Sequence, residues 1–180
     1  VLFRSVSELQ PIHEVLMGSA SEARINLTAP TATAVVTARP VFRWTALESG
    51  WTYRVRIFAA GFQLVAESPG VMGTEWTPAT DLPSGGNLEW QVTAVRGDER
   101  RTFPQPPLSP PKFRVLDSAA VARLQKITAR PDASDLVKAA AYAEAGVLDD
   151  AKVFLKKAAA EQPARAEIQK LAESQIGRAH

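Results

Sequence analysis

The hydrophobic pattern changes its period near Asp117, and this constrains the fold more than any other feature of the chain. Before that point apolar and polar residues alternate. VFRWT sets Phe42 and Trp44 against Arg43, and YRVRIF sets Tyr53, Val55 and Ile57 against Arg54 and Arg56. LEWQVTAV sets Leu88, Trp90, Val92 and Ala94 against Glu89, Gln91 and Thr93. A period of 2 with one apolar face is what half-buried antiparallel strands require. Weaker runs INLTA, QLVAE, TEWTP and KFRVLD bring the expectation to about seven strands, the number a two-sheet sandwich needs. LESGW, AAGF, SPG, LPSGGN and RGDER supply the turns between them. After Asp117 the chain is dominated by Ala, Leu, Lys and Glu, and the period becomes that of a helix. DSAAVARLQKITAR is a helix capped by Asp117 or Ser118 and stopped before Pro131.

Both ends of the 180 residues stand apart from this pattern. VLFRS and IGRAH are what one sequencing-adapter oligonucleotide encodes when read in opposite orientations. Residues 1–5 and 176–180 are therefore expected to be scars on a metagenomic fragment of a larger bacterial protein, and are set aside from fold reasoning. Without Arg4 and Arg178 the 21 basic and 19 acidic residues become 19 of each. A clustered positive face, not a mildly high isoelectric point, is what nucleic acid demands, so no nucleic-acid partner is expected. Without His180, His13 is the sole histidine, and there is no cysteine. Zinc, haem, thiol catalysis and disulfides have no residues to work with, so neither metal nor cofactor is expected. Any membrane attachment is expected only through flanking segments. Residues 6–23 are expected to be a short helix and linker, with Ser7 as cap, Leu9, Ile12 and Leu16 along one side, and Gly18 as terminator. His13 on that segment has no partner base or nucleophile nearby and reads as a surface or packing residue.

Residues 24–117 resemble a bacterial fibronectin type III-like domain. The likeness is carried by ARPVFRWTAL, YRVRIFAAG, LVAES, GTEWTPATDLPSGGNLEWQVTAV and SPPKFRVLD. It implies an all-β immunoglobulin-like sandwich used for spacing, docking and ligand binding, not catalysis. Where many members have a corner tyrosine this chain has Leu88, and Trp90 is expected to supply bulk in place of that hydrogen bond. Residues 118–175 resemble tetratricopeptide-like helices, the match being SDLVKAAAYAEAGVLDDAKVFLKKAAAEQP. Ala139, Ala151 and Ala158 take the small positions, Tyr142 and Leu155 the large ones, and Gly146 the turn, while Asp135 and Lys138 depart from the repeat. PARAEIQKLAES would begin a following helix. The expected fold class is thus an immunoglobulin-like sandwich followed by an α-helical hairpin region.

Chemistry-bearing constellations are few. RGD at Arg96–Asp98 is an adhesion motif in some contexts, but Gly-Asp is also what a tight hairpin turn uses, and the charged neighbours read as a solvated tip. Trp44, Trp76 and Trp90 fall at inward strand positions, leaving Trp51, between Gly50 and Thr52, as the ring expected to be exposed to a sugar. Arg54 and Arg56 point outward from one strand and could take an anionic partner, unless Glu89 and Asp98 neutralise them. FPQPPLSPPK reads as an edge-guarding proline stretch. Ligand-binding residues are otherwise unassigned, and no catalytic set is present. The expected function is a non-enzymatic scaffold or protein–protein interaction module with a protein or peptide partner, on the periplasmic or extracellular side of a bacterial cell envelope. Two alternatives are the extracytoplasmic region of an anti-sigma-like membrane regulator and a glycan-binding accessory domain of a secreted enzyme.

Overall fold

The computed structural model describes residues 24–160. The expected terminal scars, the helix expected over 6–23 with His13, and the segment from Pro163 onward lie outside them. Nine strands and three helices follow in order: β1 Leu27–Ala29, β2 Thr33–Val35, β3 Phe42–Trp44, β4 Thr52–Ala59, β5 Gln63–Glu67, β6 Glu75–Trp76, β7 Asn87–Arg96, β8 Glu99–Phe103, β9 Lys112–Val115, α1 Ser118–Thr128, α2 Asp135–Glu144 and α3 Leu148–Ala160. β1, β3 and β6 form a three-stranded antiparallel sheet. A six-stranded sheet runs β2-β9-β7-β4-β5, with β8 also paired to β7. Within this sheet the long strand β7 pairs on one side with both β9 and β8, setting its Leu88 opposite Phe113 of β9 and its Val92 opposite Phe103 of β8.

The alternating residues do what their period requires. Phe42, Trp44, Tyr53, Val55, Ile57, Leu88, Trp90, Val92 and Ala94 are all buried in one core shared by the two sheets. Phe42 lies at its centre, with ring centroids 5.1 Å from Trp90, 5.4 Å from Phe113 and 5.7 Å from Trp76. Edge-to-face contacts of this kind stabilise beyond the area they bury. Trp90 supplies more than bulk, because its Nε1 donates to the Pro30 carbonyl at 2.9 Å.

The expected fold class, an all-β immunoglobulin-like sandwich with a helical hairpin appended, is corrected. The described residues form a mixed, sheet-rich fold with three helices, and a clear immunoglobulin-like sandwich is not shown. Two features account for the difference. β2, which is not among the strands expected from the sequence, pairs in parallel with β9, so the large sheet is not purely antiparallel. The helices are also not an appendage: Ala34 of β2 and Leu116 after β9 share a second core with Leu124, Ala141 and Val147. The turn between α2 and α3 covers the free edge of β2. Ala34 N donates to the Gly146 carbonyl at 2.8 Å. Leu148 N, an orphan donor of the first turn of α3, donates to the Thr33 hydroxyl at 3.0 Å.

The helices end where their residues dictate. Asp117 caps α1 by accepting from Ala120 N at 2.7 Å, and α1 stops before Pro131. Ser134 caps α2, and Gly146 at φ +78° makes the turn into α3. Ala139 and Ala151 are buried between α2 and α3, while Tyr142 stacks on Phe154 with centroids 5.2 Å apart. Phe154, not Leu155, fills that space; Leu155 is exposed. No helix among the described residues is long and apolar enough to cross a membrane.

Candidate functional site

Among the concave surfaces of the described residues, two bear on ligand binding. The first is the outer face of the large sheet. Inward apolar residues on β4 force Arg54 and Arg56 outward, and the cross-strand register continues their rows: Arg54 opposite Thr93 opposite Thr102, and Thr52 opposite Val95 opposite Arg100. Thr93 and Thr102 share a hydroxyl hydrogen bond of 3.0 Å. Arg54, Arg56, Arg96 and Arg100 border an open concavity of about 520 Å³ that has no acidic residue in its lining. Glu67, at its margin on β5, pairs with both strand arginines, accepting from Arg56 Nε at 3.2 Å and lying 3.4 Å from Arg54 Nη1. The expected neutralisers do not do this: Glu89 pairs with Lys112 across β7 and β9. Sequence spacing could not show Glu67 as the partner, because its position depends on how β5 returns along β4.

Trp51 is corrected from exposed to buried, at 6% exposure. The guanidinium of Arg96 lies 4.5 Å from its ring centroid and that of Arg101 lies 5.4 Å away, so the face expected to stack on sugar is occupied by cations. Glu99 joins the two arginines, accepting from Arg96 Nη2 at 3.2 Å and from Arg101 Nε at 2.7 Å. The Arg101 guanidinium, and after it Arg96, holds the Glu99 carboxyl below the usual carboxylate range. The RGD arginine is thereby tied into the hairpin. Gly97, at φ +59°, opens the two-residue turn it forms with Asp98.

The second surface is a groove between α1 and α2. Ala120, Ala141 and Ala145 put no bulk between the helices, so a hollow of about 310 Å³ remains, with Leu124 and Ile127 along one wall. Arg123 on α1 and Glu144 on α2 face it from opposite sides. These two residues also line a more polar hollow of about 250 Å³ that extends toward Arg114 and Asp117. A groove on the helix pair is expected from the sequence, but its place between α1 and α2 is not, because it follows from Ala120, Ala141 and Ala145, residues that signal only helix. Among the described residues no group of three His, Cys, Asp or Glu could hold a metal ion.

No family model matches the chain, and no curated protein does. Among solved structures it is similar to the crystal structure of CopC from Methylosinus trichosporium OB3b, at 16% identity over 52% of this chain and 94% of that one, with a TM-score of 0.34. A likeness of that size supports no inference about function.

Proposed function

We propose that the chain is a non-enzymatic scaffold and protein-interaction module that holds a partner's amphipathic helix in the groove between α1 and α2. The observation carrying this reading is the groove itself: an apolar lining of Leu124 and Ala141, a partly exposed Ile127, and opposite charges on its two walls. An amphipathic helix buries apolar residues at i, i+3 and i+4 in such a channel. Arg123 and Glu144 would fix its direction by pairing with opposite charges on its flanks. The shared core beneath α1 and α2 keeps the groove from opening freely, which lowers the ordering cost of binding.

Selection of displayed peptides on the full chain tests the proposal. Enriched peptides should share an i, i+3, i+4 apolar pattern. Their affinity should fall about tenfold or more in an Ile127→Ser, Arg123→Glu double variant, the size expected when an anchor and its flanking charge are both lost. Both positions are exposed, so the core is untouched. Peptides without that pattern, or equal affinity for the variant, would overturn the reading.

A further inference from the structure

We infer that the outer face of the large sheet is a second, independent docking site, and that its occupant is an extended acidic peptide segment with carboxylates on alternate residues. Arg54 and Arg56 are two residues apart on β4, so their side chains leave the sheet about 6.8 Å apart. An extended peptide projects every second side chain at the same interval, so Glu-x-Glu or Asp-x-Asp laid along β4 meets both guanidiniums in register. One row further along and two strands across, on β8 beyond Thr52 and Val95, Arg100 offers a third cation; it is exposed and forms no ion pair among the described residues. Between them the Thr93–Thr102 hydroxyl pair offers a neutral polar floor.

The chemistry of the occupant is visible in what the arginines already hold. Glu67 bridges Arg54 and Arg56, and Glu99 bridges Arg96 and Arg101. These forks accept planar carboxylates, the geometry in which arginine excels. A carboxylated glycan shares that group and would gain further from stacking on an aromatic ring, but the ring best placed for it, Trp51, is buried beneath two guanidiniums. Glu67 then acts as a built-in competitor that a partner's carboxylates displace.

The competitor gives the experiment its sign. A synthetic peptide of alternating glutamate and serine is titrated into the full chain at low salt. A peptide of the same composition with its glutamates in one block, and oligogalacturonate, are titrated in parallel. The alternating peptide should bind most tightly. An Arg54→Gln, Arg100→Gln variant should weaken it about threefold to tenfold, as expected for losing two exposed ion pairs. Glu67→Gln should strengthen it about twofold to fivefold by releasing both β4 arginines, an effect that a merely structural Glu67 would not produce. Unchanged melting temperatures keep the variants interpretable. Absence of saturable binding, equal affinity for the blocked peptide, equal or tighter binding of oligogalacturonate, or weaker binding by Glu67→Gln would each overturn the inference. None of these outcomes bears on the helical groove.

Discussion

Replacing Thr33 by valine tests whether the helices are built into the sheet. Thr33 is 6% exposed, and its hydroxyl has two duties. It accepts from Leu148 N at 3.0 Å, standing in for an N-cap that the chain before α3 does not supply, and it donates to the Ala34 carbonyl at 3.0 Å. Valine keeps the shape and removes both bonds. Loss of a Thr cap costs about 0.5–2 kcal/mol, and an unsatisfied buried donor costs about 1–3 kcal/mol. Leu148 is 41% exposed, so water can reach part of the way in and the lower range applies. The expected loss is about 1–2 kcal/mol. Thr33→Ser is the control: it keeps the hydroxyl and gives up one methyl, worth about 0.8 kcal/mol. Urea unfolding read by tryptophan fluorescence reports the sheet core, and far-ultraviolet circular dichroism reports the helices. With an m-value of about 2 kcal/mol/M, the middle of the usual range, the Val variant should lower the midpoint by about 0.5–1 M in both signals together. A Val variant as stable as wild type, or a shift confined to circular dichroism, would refute the claim that cap, helices and sheet form one cooperative structure.

Two further predictions follow from the tryptophans. Trp90→Phe should cost more than Trp44→Phe by about 1–3 kcal/mol in the same assay, because the first strands the buried Pro30 carbonyl whereas Trp44 Nε1 has no partner to lose. Trp51 fluorescence should titrate in acid with a midpoint below the ordinary carboxylate value of 4.5. The folded Glu99 has its pKa depressed, so its contribution is present above the unfolded pKa and fades as pH falls through the lower folded one. Glu99→Gln should abolish the transition, and a midpoint above 4.5 would contradict the assignment.

The inward strand residues were legible because period 2 is a local property: each residue expected to face inward on β3, β4 and β7 is buried. The cap at Asp117 and the turn at Gly146 were legible for the same reason, since each acts within a few residues. What was not legible depends on partners distant in sequence. β2 is three residues long and exists because β9 lies beside it. β8 reads as a charged tip, ERRTF, and becomes a strand only by pairing with β7. Its Arg101 then reaches the Trp51 ring, so a residue whose glycine and threonine neighbours suggest exposure is buried by the fold. Of the site, Arg54 and Arg56 could be placed on an outward face from alternation alone. Arg100, the hydroxyl pair and Glu67 needed the register.

The claim that the groove between α1 and α2 receives a partner helix is tested most directly by a map of backbone amide chemical shifts of the full chain with a selected peptide bound. The account predicts perturbations centred on Leu124, Ile127, Ala141 and Glu144, with little change across β4 and β8. Shifts concentrated elsewhere, with those four amides unmoved, would contradict it.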